Sequence, residues 1–133
     1  IQVVMVGVTA QQKASLPSCI ISVERTQNQQ ELAEYYSAPD VFVNPTYSDN
    51  FPTTNLETLA CGTPVISYRT GGSPEAVDEL TGAVVEQENL EAMCNKILEF
   101  KNTGFKQLYS SDCRKRAEEC FEKYIELYEG LLK

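Results

Sequence analysis

The chain has 133 residues, of which 42% are hydrophobic and 23% charged, and 19 acidic against 11 basic residues give a net charge of −8. This composition is typical of one folded domain, and the acidic balance excludes general nucleic-acid binding, which needs a surplus of Lys and Arg. No apolar run approaches the roughly 20 residues of a membrane span and no signal peptide is evident, so we expect a cytoplasmic protein.

The cysteine and histidine content limits the chemistry further. Without any His, this chain by itself offers neither Ser-His nor Cys-His catalysis, nor a mixed His/Cys zinc site. The five cysteines lack a CxxC spacing, so we expect reduced, mostly buried thiols and no bound metal. They are Cys19, Cys61, Cys94, Cys113 and Cys120.

Apolar and helix-forming segments alternate along the chain. Five short apolar runs predict strands buried on both faces, at 2–8, 19–24, 41–45, 64–68 and 82–86. Between and after them, patterns predict a loop or short helix at 9–18 and helices at 27–37, at 54–61, from 73, at 89–101 and at 111–132. We therefore expect an α/β fold, a doubly wound parallel sheet in a single domain over residues 1–133, with a long C-terminal helix.

Several helix ends carry their own signals. Asn28 is a candidate N-cap of the second helix, and Thr54 or Asn55 of the third. Gly62 occupies the position just after a helix where a left-handed glycine is favoured. Ser73, followed by a proline, is the candidate N-cap of the fourth helix.

Unusual polar residues cluster in three loops, at 24–28, 45–54 and 69–74. Each of these loops follows a predicted strand. The carboxyl ends of parallel strands share one edge of a sheet, which is where ligands bind in this fold class. The three loops therefore predict a binding site at that edge.

Two acids dominate these loops, Asp49 and Glu57, and each has more than one interpretation. Glu57 is expected in the first turn of a helix, where the helix dipole alone would stabilise it, but its carboxylate could also accept two vicinal ribose hydroxyls. The loop from Asp49 to Thr54 is either a simple turn or a phosphate site built from backbone N–H groups. The Gly71-Gly72 pair is either a tight turn or a point of close backbone approach.

The pattern across about residues 36–86 resembles glycosyltransferase family 4, retaining enzymes of the GT-B fold, and in particular their C-terminal nucleotide-sugar-binding domain. That family pairs two acids with seven residues between them, then a helix, a turn, Pro-Val and a Gly-Gly-x-x-Glu loop. The matching residues here are Asp49, Glu57, Cys61-Gly62, Pro64-Val65, Gly71-Gly72 and Glu75.

The resemblance implies a role for each matching position. Glu57 would hold the ribose hydroxyls of a nucleoside diphosphate sugar, and Asp49 would contact the donor sugar, which makes these two the catalytic candidates. The backbone around Phe51, Pro52, Thr53 and Thr54 would meet the sugar and the diphosphate. The segment Val23–Thr26 would flank the base, and Gly71 and Gly72 would close one wall, with Glu75 supporting it.

The chain also departs from the family pattern. Asp49 stands where the family usually has Glu, and Pro52 stands where it favours Gly. Ile1 lies directly inside an apolar run, so we expect a truncated domain that lacks the first strand and helix, with the Arg and Lys that neutralise the donor diphosphate. Of the basic residues near the loops, Arg25 and Arg69, we expect Arg69 to be a solvated loop charge.

The resemblance therefore predicts the donor-binding part of a transferase, with no tightly bound cofactor or metal, that is inactive alone. Its partners would be a nucleotide-sugar donor and, through an absent N-terminal domain, a glycan, lipid-linked or other acceptor in polysaccharide biosynthesis. Peripheral attachment of the full enzyme to the inner face of a membrane stays open. Two alternatives also stay open: a nucleotide-sugar epimerase or related GT-B enzyme, and a non-enzymatic α/β interaction module.

Overall fold

A computed structural model describes residues 1–132 of the chain. The chain divides into two compact units, Ile1–Tyr35 and a second unit that begins at Tyr36. Within residues 1–132, no helix combines the length and the apolar character that crossing a membrane requires.

The first unit contains a two-stranded parallel sheet. Its strands and helices are β1 (Val3–Val6), α1 (Ala10–Ser15), β2 (Ile20–Val23) and the greater part of α2 (Gln29–Ser37). The segment 9–18 thus forms a short helix, which begins at a reciprocal capping box of Thr9 and Gln12. The predicted cap at Asn28 is confirmed, because its Oδ1 accepts the backbone N–H of Glu31 at 2.8 Å.

The expectation that the first strand is buried on both faces is wrong. All four residues of β1 are exposed, and Val3 keeps 46% of its surface accessible. Within this unit β1 pairs with β2 alone, and the six-residue α1 contributes no buried side chain. A two-stranded sheet with so little apolar cover cannot remove both of its faces from water.

The second unit is a doubly wound α/β arrangement, as the sequence predicts. Its elements are β3 (Phe42–Asn44), α3 (Thr53–Ala60), β4 (Val65–Tyr68), a 3₁₀ turn (Ser73–Ala76), β5 (Gly82–Val85), α4 (Leu90–Thr103) and α5 (Phe105–Leu132). The strands are parallel in the order β3-β4-β5. All five predicted strands are therefore present, in two sheets of two and three strands.

Alternate residues of the central strand β4 supply two cores. Val65 belongs to a core shared with α3, the 3₁₀ turn and α5, whereas Ile66 and Tyr68 belong to a core shared with β5 and α4. This alternation is the period of two expected of a strand, and it places helices on both faces of the sheet. β4 is accordingly fully buried, and it fixes the edge at which the loops after β3 and β4 meet.

The two C-terminal helices differ from the prediction in extent and burial. The break between them is Gly104, which takes a left-handed conformation, and α5 begins at Phe105 rather than near residue 111. In α4 Met93 is buried, whereas Leu90 and Leu98 are exposed. The core-facing stripe of α5 consists of Cys113, Ala117 and Cys120.

The thiols are less buried than expected. All five cysteines lie within residues 1–132 and are free, but only Cys113 and Cys120 are buried. Cys61 is half-buried, and Cys19 and Cys94 are exposed. Burial raises the pKa of Cys113 to about 12, so this thiol stays protonated at neutral pH.

Candidate functional site

Two loops meet at the carboxyl ends of β3 and β4, residues 45–52 and 69–72. The Thr70 hydroxyl donates to the backbone carbonyl of Thr46 at 2.8 Å, and this hydrogen bond ties the second loop to the first. Parallel strands deliver their following loops to one edge, so the contact follows from the topology. Two of the three predicted loops are thus brought together.

The Gly71-Gly72 pair lies directly against the backbone of the first loop. The Gly72 N–H donates to the Asp49 carbonyl at 3.2 Å. A Cβ on Gly71 would collide with the Asp49 carbonyl oxygen, and one on Gly72 with that of Asn50. Gly71 also has a φ of +49°, which other residues rarely adopt. These glycines are therefore required for the protein backbone to pack against itself.

Asp49 shapes its own loop with its side chain. One carboxylate oxygen accepts the Phe51 N–H at 3.1 Å, which closes an Asx turn, while the residue stays half-buried. The Phe51 ring packs edge-on against Tyr124 of α5, with ring centroids 5.1 Å apart. The loop is therefore anchored at its backbone by Gly72, at its turn by Asp49 and at its ring by α5.

The backbone donors of the 51–54 segment are fewer than the sequence suggested. The Phe51 N–H is already bonded to Asp49, and Pro52 has none to offer. Thr53 and Thr54, the first two residues of α3, are exposed, and their N–H groups have no hydrogen-bond partner within residues 1–132. Two backbone donors, those of Thr53 and Thr54, therefore remain at this helix start.

The predicted cap of α3 is wrong. Pro52, and not Thr54 or Asn55, is the N-cap, and no side chain caps the helix. Asn55 is fully buried, and its Oδ1 accepts a hydrogen bond from Nδ2 of Asn44 at 2.9 Å, so the side chain turns to a tertiary partner instead. Its own Nδ2 has no partner within residues 1–132. The proline holds a φ of −72°, close to the helical value.

Glu57 lies two or three residues further into α3 than a cap at Thr54 or Asn55 would place it. It is the fifth residue of the helix, so the first turn holds no acid, and its side chain is exposed. The aromatic side chain beside it is Tyr36. Burial, followed by the charge of Glu57, raises the pKa of Tyr36 to about 12. The dipole explanation for Glu57 is weakened, because that effect fades beyond the first turn.

The third predicted loop, Val23–Thr26, belongs to the first unit and is described only within it. The carbonyl of Val23 accepts the Gly7 N–H at 2.8 Å, which connects the ends of β1 and β2. Next to it, Glu24 pairs with Lys13 at 3.5 Å. The base-flanking role of this segment stays a prediction.

The cation nearest to the two loops is already paired. Nε of Arg69 lies 2.7 Å from Oε1 of Glu86, and both side chains are more than half exposed. This ion pair agrees with the solvated loop charge predicted for Arg69. Within residues 1–132, no group of three or more His, Cys, Asp or Glu side chains could hold a metal ion.

The segment after the glycines differs from the prediction. Gly72, and not Ser73, precedes the turn, and the turn is a single 3₁₀ turn rather than an α-helix. The Ser73 hydroxyl is fully buried with no partner within residues 1–132. Glu75 acts through its backbone, whose carbonyl accepts a hydrogen bond from Nη2 of Arg116 at 2.7 Å. The supporting role of the Glu75 side chain beside the glycine wall stays a prediction.

Sequence reasoning missed three residues of this region, Asn44, Asn55 and Tyr36. A signal for Asn44 was present, because a polar residue at the end of a buried strand, just before Pro45, points at the ligand edge. Asn55 was assigned to capping instead, and nothing in the spacing connects Tyr36 with Glu57.

Comparisons with known proteins agree with the fold described above. Residues 1–102 match the family described as glycosyl transferases group 1. The D-inositol 3-phosphate glycosyltransferase of Nocardiopsis dassonvillei is 41% identical over 71 residues, which are 53% of this chain and 17% of that protein. The enzyme of the same name from Mycobacteroides abscessus is 39% identical over 83 residues, 59% of this chain and 19% of that protein. The matches thus span about a fifth of the relatives' length.

Solved structures show the same fold. Sucrose-phosphate synthase from Thermosynechococcus elongatus superposes with a TM-score of 0.80 at 27% identity, over 98% of this chain and 38% of that one. The Anabaena protein HepE, crystallised with UDP-glucose, has a TM-score of 0.67 at 18% identity, over 81% of this chain and 30% of that one. Because the family match covers residues 1–102, the chain belongs to the group 1 glycosyl transferases, with a Rossmann-like α/β fold of the GT-B type.

Proposed function

We propose that this chain binds the nucleoside diphosphate sugar donor of a retaining glycosyltransferase. The observation that carries the proposal is the arrangement on α3. Glu57 is exposed, and the unpartnered N–H groups of Thr53 and Thr54 open the same helix. Four residues of helix separate Thr53 from Glu57 by roughly 6 Å along the axis. Ribose hydroxyls and phosphates of one nucleotide can reach both ends of such a span.

In this proposal the start and the middle of α3 recognise different parts of the donor. The carboxylate of Glu57 accepts hydrogen bonds from the vicinal ribose hydroxyls, and such charge-assisted bonds are among the strongest that a protein forms. The amides of Thr53 and Thr54 donate to the diphosphate, where the positive end of the helix favours negative charge. As the glycosidic bond breaks, charge builds on the departing diphosphate, and preorganised donors stabilise it.

In this proposal Asp49 contacts the sugar of the donor. Its carboxylate already accepts the Phe51 N–H with one oxygen, which leaves acceptor capacity for a sugar hydroxyl. Because the loop is locked to Gly72, this oxygen would be held in place before the donor arrives. The family match supports these assignments, as does the fold shared with HepE, a protein crystallised with UDP-glucose.

The binding proposal can be tested by titrating the isotope-labelled chain with UDP and UDP-glucose and following the backbone amide resonances. We expect shifts at Thr53, Thr54 and Gly72. Glu57→Gln should weaken UDP binding about 10- to 100-fold, since a hydrogen bond to a charged group contributes roughly 1.5–3 kcal/mol. Glu118→Gln, an exposed acid on α5, is the matched control. Silence of all three amides at millimolar ligand would contradict the proposal.

A second expectation concerns turnover. We propose that these 133 residues bind donor but do not transfer the sugar by themselves. Arg69, the cation nearest to the two loops, is paired with Glu86, which leaves the diphosphate with amide donors alone at this edge. Incubation of the chain with UDP-glucose should therefore release no UDP above the blank rate. Sustained release that Glu57→Gln abolishes would overturn this expectation.

A further inference from the structure

Phe51, whose N–H closes the Asx turn of Asp49, is held at its side chain by α5. Its ring packs edge-on against Tyr124, with ring centroids 5.1 Å apart and an interplanar angle of 66°. Tyr124 lies one turn after the buried Cys120 and therefore on the same face of the helix. Phe51 also packs against the core to which Cys120 belongs. The aromatic contact thus extends this core up to the Asp49 loop.

The same helix also holds the segment that follows the second loop. Nη2 of Arg116 donates to the carbonyl of Glu75 at 2.7 Å, and Nε donates to that of Ala76 at 3.3 Å. Both carbonyls belong to the 3₁₀ turn that leads on from this loop. Arg116 precedes Tyr124 on α5 by about two turns, or roughly 12 Å. Helix α5 is therefore a common support for both loops of the candidate site.

Open space lies directly beside the aromatic contact. A cleft of about 270 Å³ is bordered by the rings of Phe51 and Tyr124 and by Glu75. Shortening Tyr124 would enlarge this cleft and give the Phe51 ring room to move, because packing contacts would be lost on that side. The Gly72 N–H restrains the carbonyl of Asp49, whereas the Phe51 N–H restrains its carboxylate. A shift of Phe51 would therefore reach the Asp49 carboxylate.

We propose that Tyr124 is a positioning residue for sugar recognition, whose ring holds Phe51 so that the Phe51 N–H holds the Asp49 carboxylate where it meets a hydroxyl of the donor sugar. The proposal rests on the role proposed above for Asp49. Hydrogen bonds between oxygens form over a distance range of only about 0.5 Å, so a small shift of the carboxylate weakens sugar binding. The ribose is assigned to Glu57 on α3, so the effect of Tyr124 falls mainly on ligands that carry the sugar.

The test compares ligands with and without the sugar. The affinities of UDP, ADP and GDP and of UDP-glucose, ADP-glucose and GDP-glucose are measured by calorimetry, and the base that binds most tightly is used throughout. The sugar preference is the ratio of the affinity for the nucleotide sugar to that for the nucleoside diphosphate. Tyr124→Leu should lower this ratio about 3- to 10-fold, because it misplaces a contact group without removing it. The ratio is independent of the folded fraction, since both ligands bind the same folded state.

Three further variants complete the test. Tyr124→Phe keeps the ring and should keep the wild-type sugar preference. Tyr128→Leu is the matched control, because Tyr128 lies on the next turn of α5 with 63% of its surface exposed, and it should change neither affinity. Asp49→Ala should lower the sugar preference at least as much as Tyr124→Leu does, and adding Tyr124→Leu to it should lower it no further.

The outcomes distinguish this inference from the proposed function. If the wild-type chain binds none of these ligands, or if Asp49→Ala leaves the sugar preference unchanged, the role proposed for Asp49 fails and this inference fails with it. If Asp49→Ala lowers the sugar preference and Tyr124→Leu does not, only this inference fails. Equal weakening of both ligands by Tyr124→Leu would likewise overturn it, because that result indicates general support of the fold. A loss in Tyr124→Phe as large as in Tyr124→Leu would also overturn it, because the hydroxyl rather than the ring would then be responsible.

Discussion

Asp49 and Glu57 form the acidic pair of the sequence pattern, yet the loop around one and the helix around the other use polar groups differently. In the Asp49 loop the carboxylate and backbone carbonyl of Asp49 and the N–H of Phe51 are all bonded within the protein. On α3 the backbone carbonyl of Glu57 accepts the N–H of Cys61 within the helix end, while the carboxylate of Glu57 stays exposed, with Tyr36 as its neighbour. The carboxylate of an acid in a loop is used to bond the N–H groups of that loop, whereas the carboxylate of an acid on a helix is available for a ligand.

The largest expected effect on stability comes from a substitution that disrupts the packing of the Asp49 loop. Gly72→Ala would place a Cβ against the carbonyl oxygen of Asn50, a backbone atom that cannot move alone. Gly72 itself has an ordinary φ of −86°, so the penalty is steric rather than conformational. We expect the free energy of unfolding, measured by urea denaturation, to fall by about 2–4 kcal/mol.

Gly130→Ala is the matched control for this substitution. Gly130 lies inside α5, and a Cβ there would meet no atom within 4 Å. Alanine should therefore raise the free energy of unfolding by roughly 0.5–1 kcal/mol, the usual gain over glycine in a helix. Similar small changes from both substitutions would show that the two loops are not locked together as described.

Substitution of Asp49 itself should have a smaller effect on the free energy of unfolding. Asp49→Ala removes the acceptor of the Phe51 N–H and should lower the free energy of unfolding by about 1 kcal/mol. Asp49→Asn keeps an oxygen in the same place and should change it by only a few tenths of that amount. Urea denaturation of both variants checks this difference. If Asn costs as much as Ala, the charge rather than the Asx turn would be what stabilises the loop.

The sequence was sufficient where a local signal decides the structure. Five strands, the Asn28 cap and the left-handed Gly62 follow from residue types at fixed positions, and all are confirmed. It failed where a tertiary partner competes with a local one. Asn55 has the right chemistry for a cap, but Asn44 takes its side chain and the helix begins one turn earlier than a cap there would allow. That earlier start is also why Glu57 lies outside the first turn.

For the candidate site, the sequence predicted which loops meet but not what their residues contact. Topology alone places the loops after β3 and β4 at one edge, and the Asp49 and Gly72 loops do meet there. The sequence could not tell that the glycines approach a protein carbonyl rather than a ligand, because both uses need the same missing Cβ. Nor could it connect Tyr36 with Glu57, since twenty residues, including strand β3, separate them.

A pH experiment tests how Tyr36 interacts with Glu57 on α3. The pKa of Tyr36 rises from its ordinary value of 10.0 to about 12, so the folded protein keeps a proton that the unfolded chain loses. The contribution to the free energy of unfolding is therefore complete below about pH 10 and is lost as the pH rises towards 12. Other tyrosines and lysines titrate in the same range, so the readout is the difference between the wild-type chain and Tyr36→Phe.

That difference should be small, because Glu57 is exposed and solvent screens its charge. We expect the wild-type chain to lose more stability than Tyr36→Phe between pH 10 and pH 12, measured by urea denaturation at each pH. Tyrosinate absorbance should give a matching titration that the variant lacks. Parallel loss in both proteins would show that the Tyr36 phenol does not interact with Glu57.

The smallest expected effect concerns the cation beside the loops. Nε of Arg69 lies 2.7 Å from Glu86, but 58% and 71% of the two side chains are exposed, and such surface pairs contribute about 0–1 kcal/mol. Arg69→Gln should change the free energy of unfolding by less than about 0.5 kcal/mol and leave UDP affinity unaltered. Lys96→Gln, at the exposed pair with Glu99, is the matched control. A loss of UDP affinity of about tenfold at Arg69 alone would mean that its guanidinium leaves Glu86 for the phosphates. In that case the diphosphate would be bound by Arg69 as well as by backbone amides, and the ion pair between Arg69 and Glu86 would open when the donor binds.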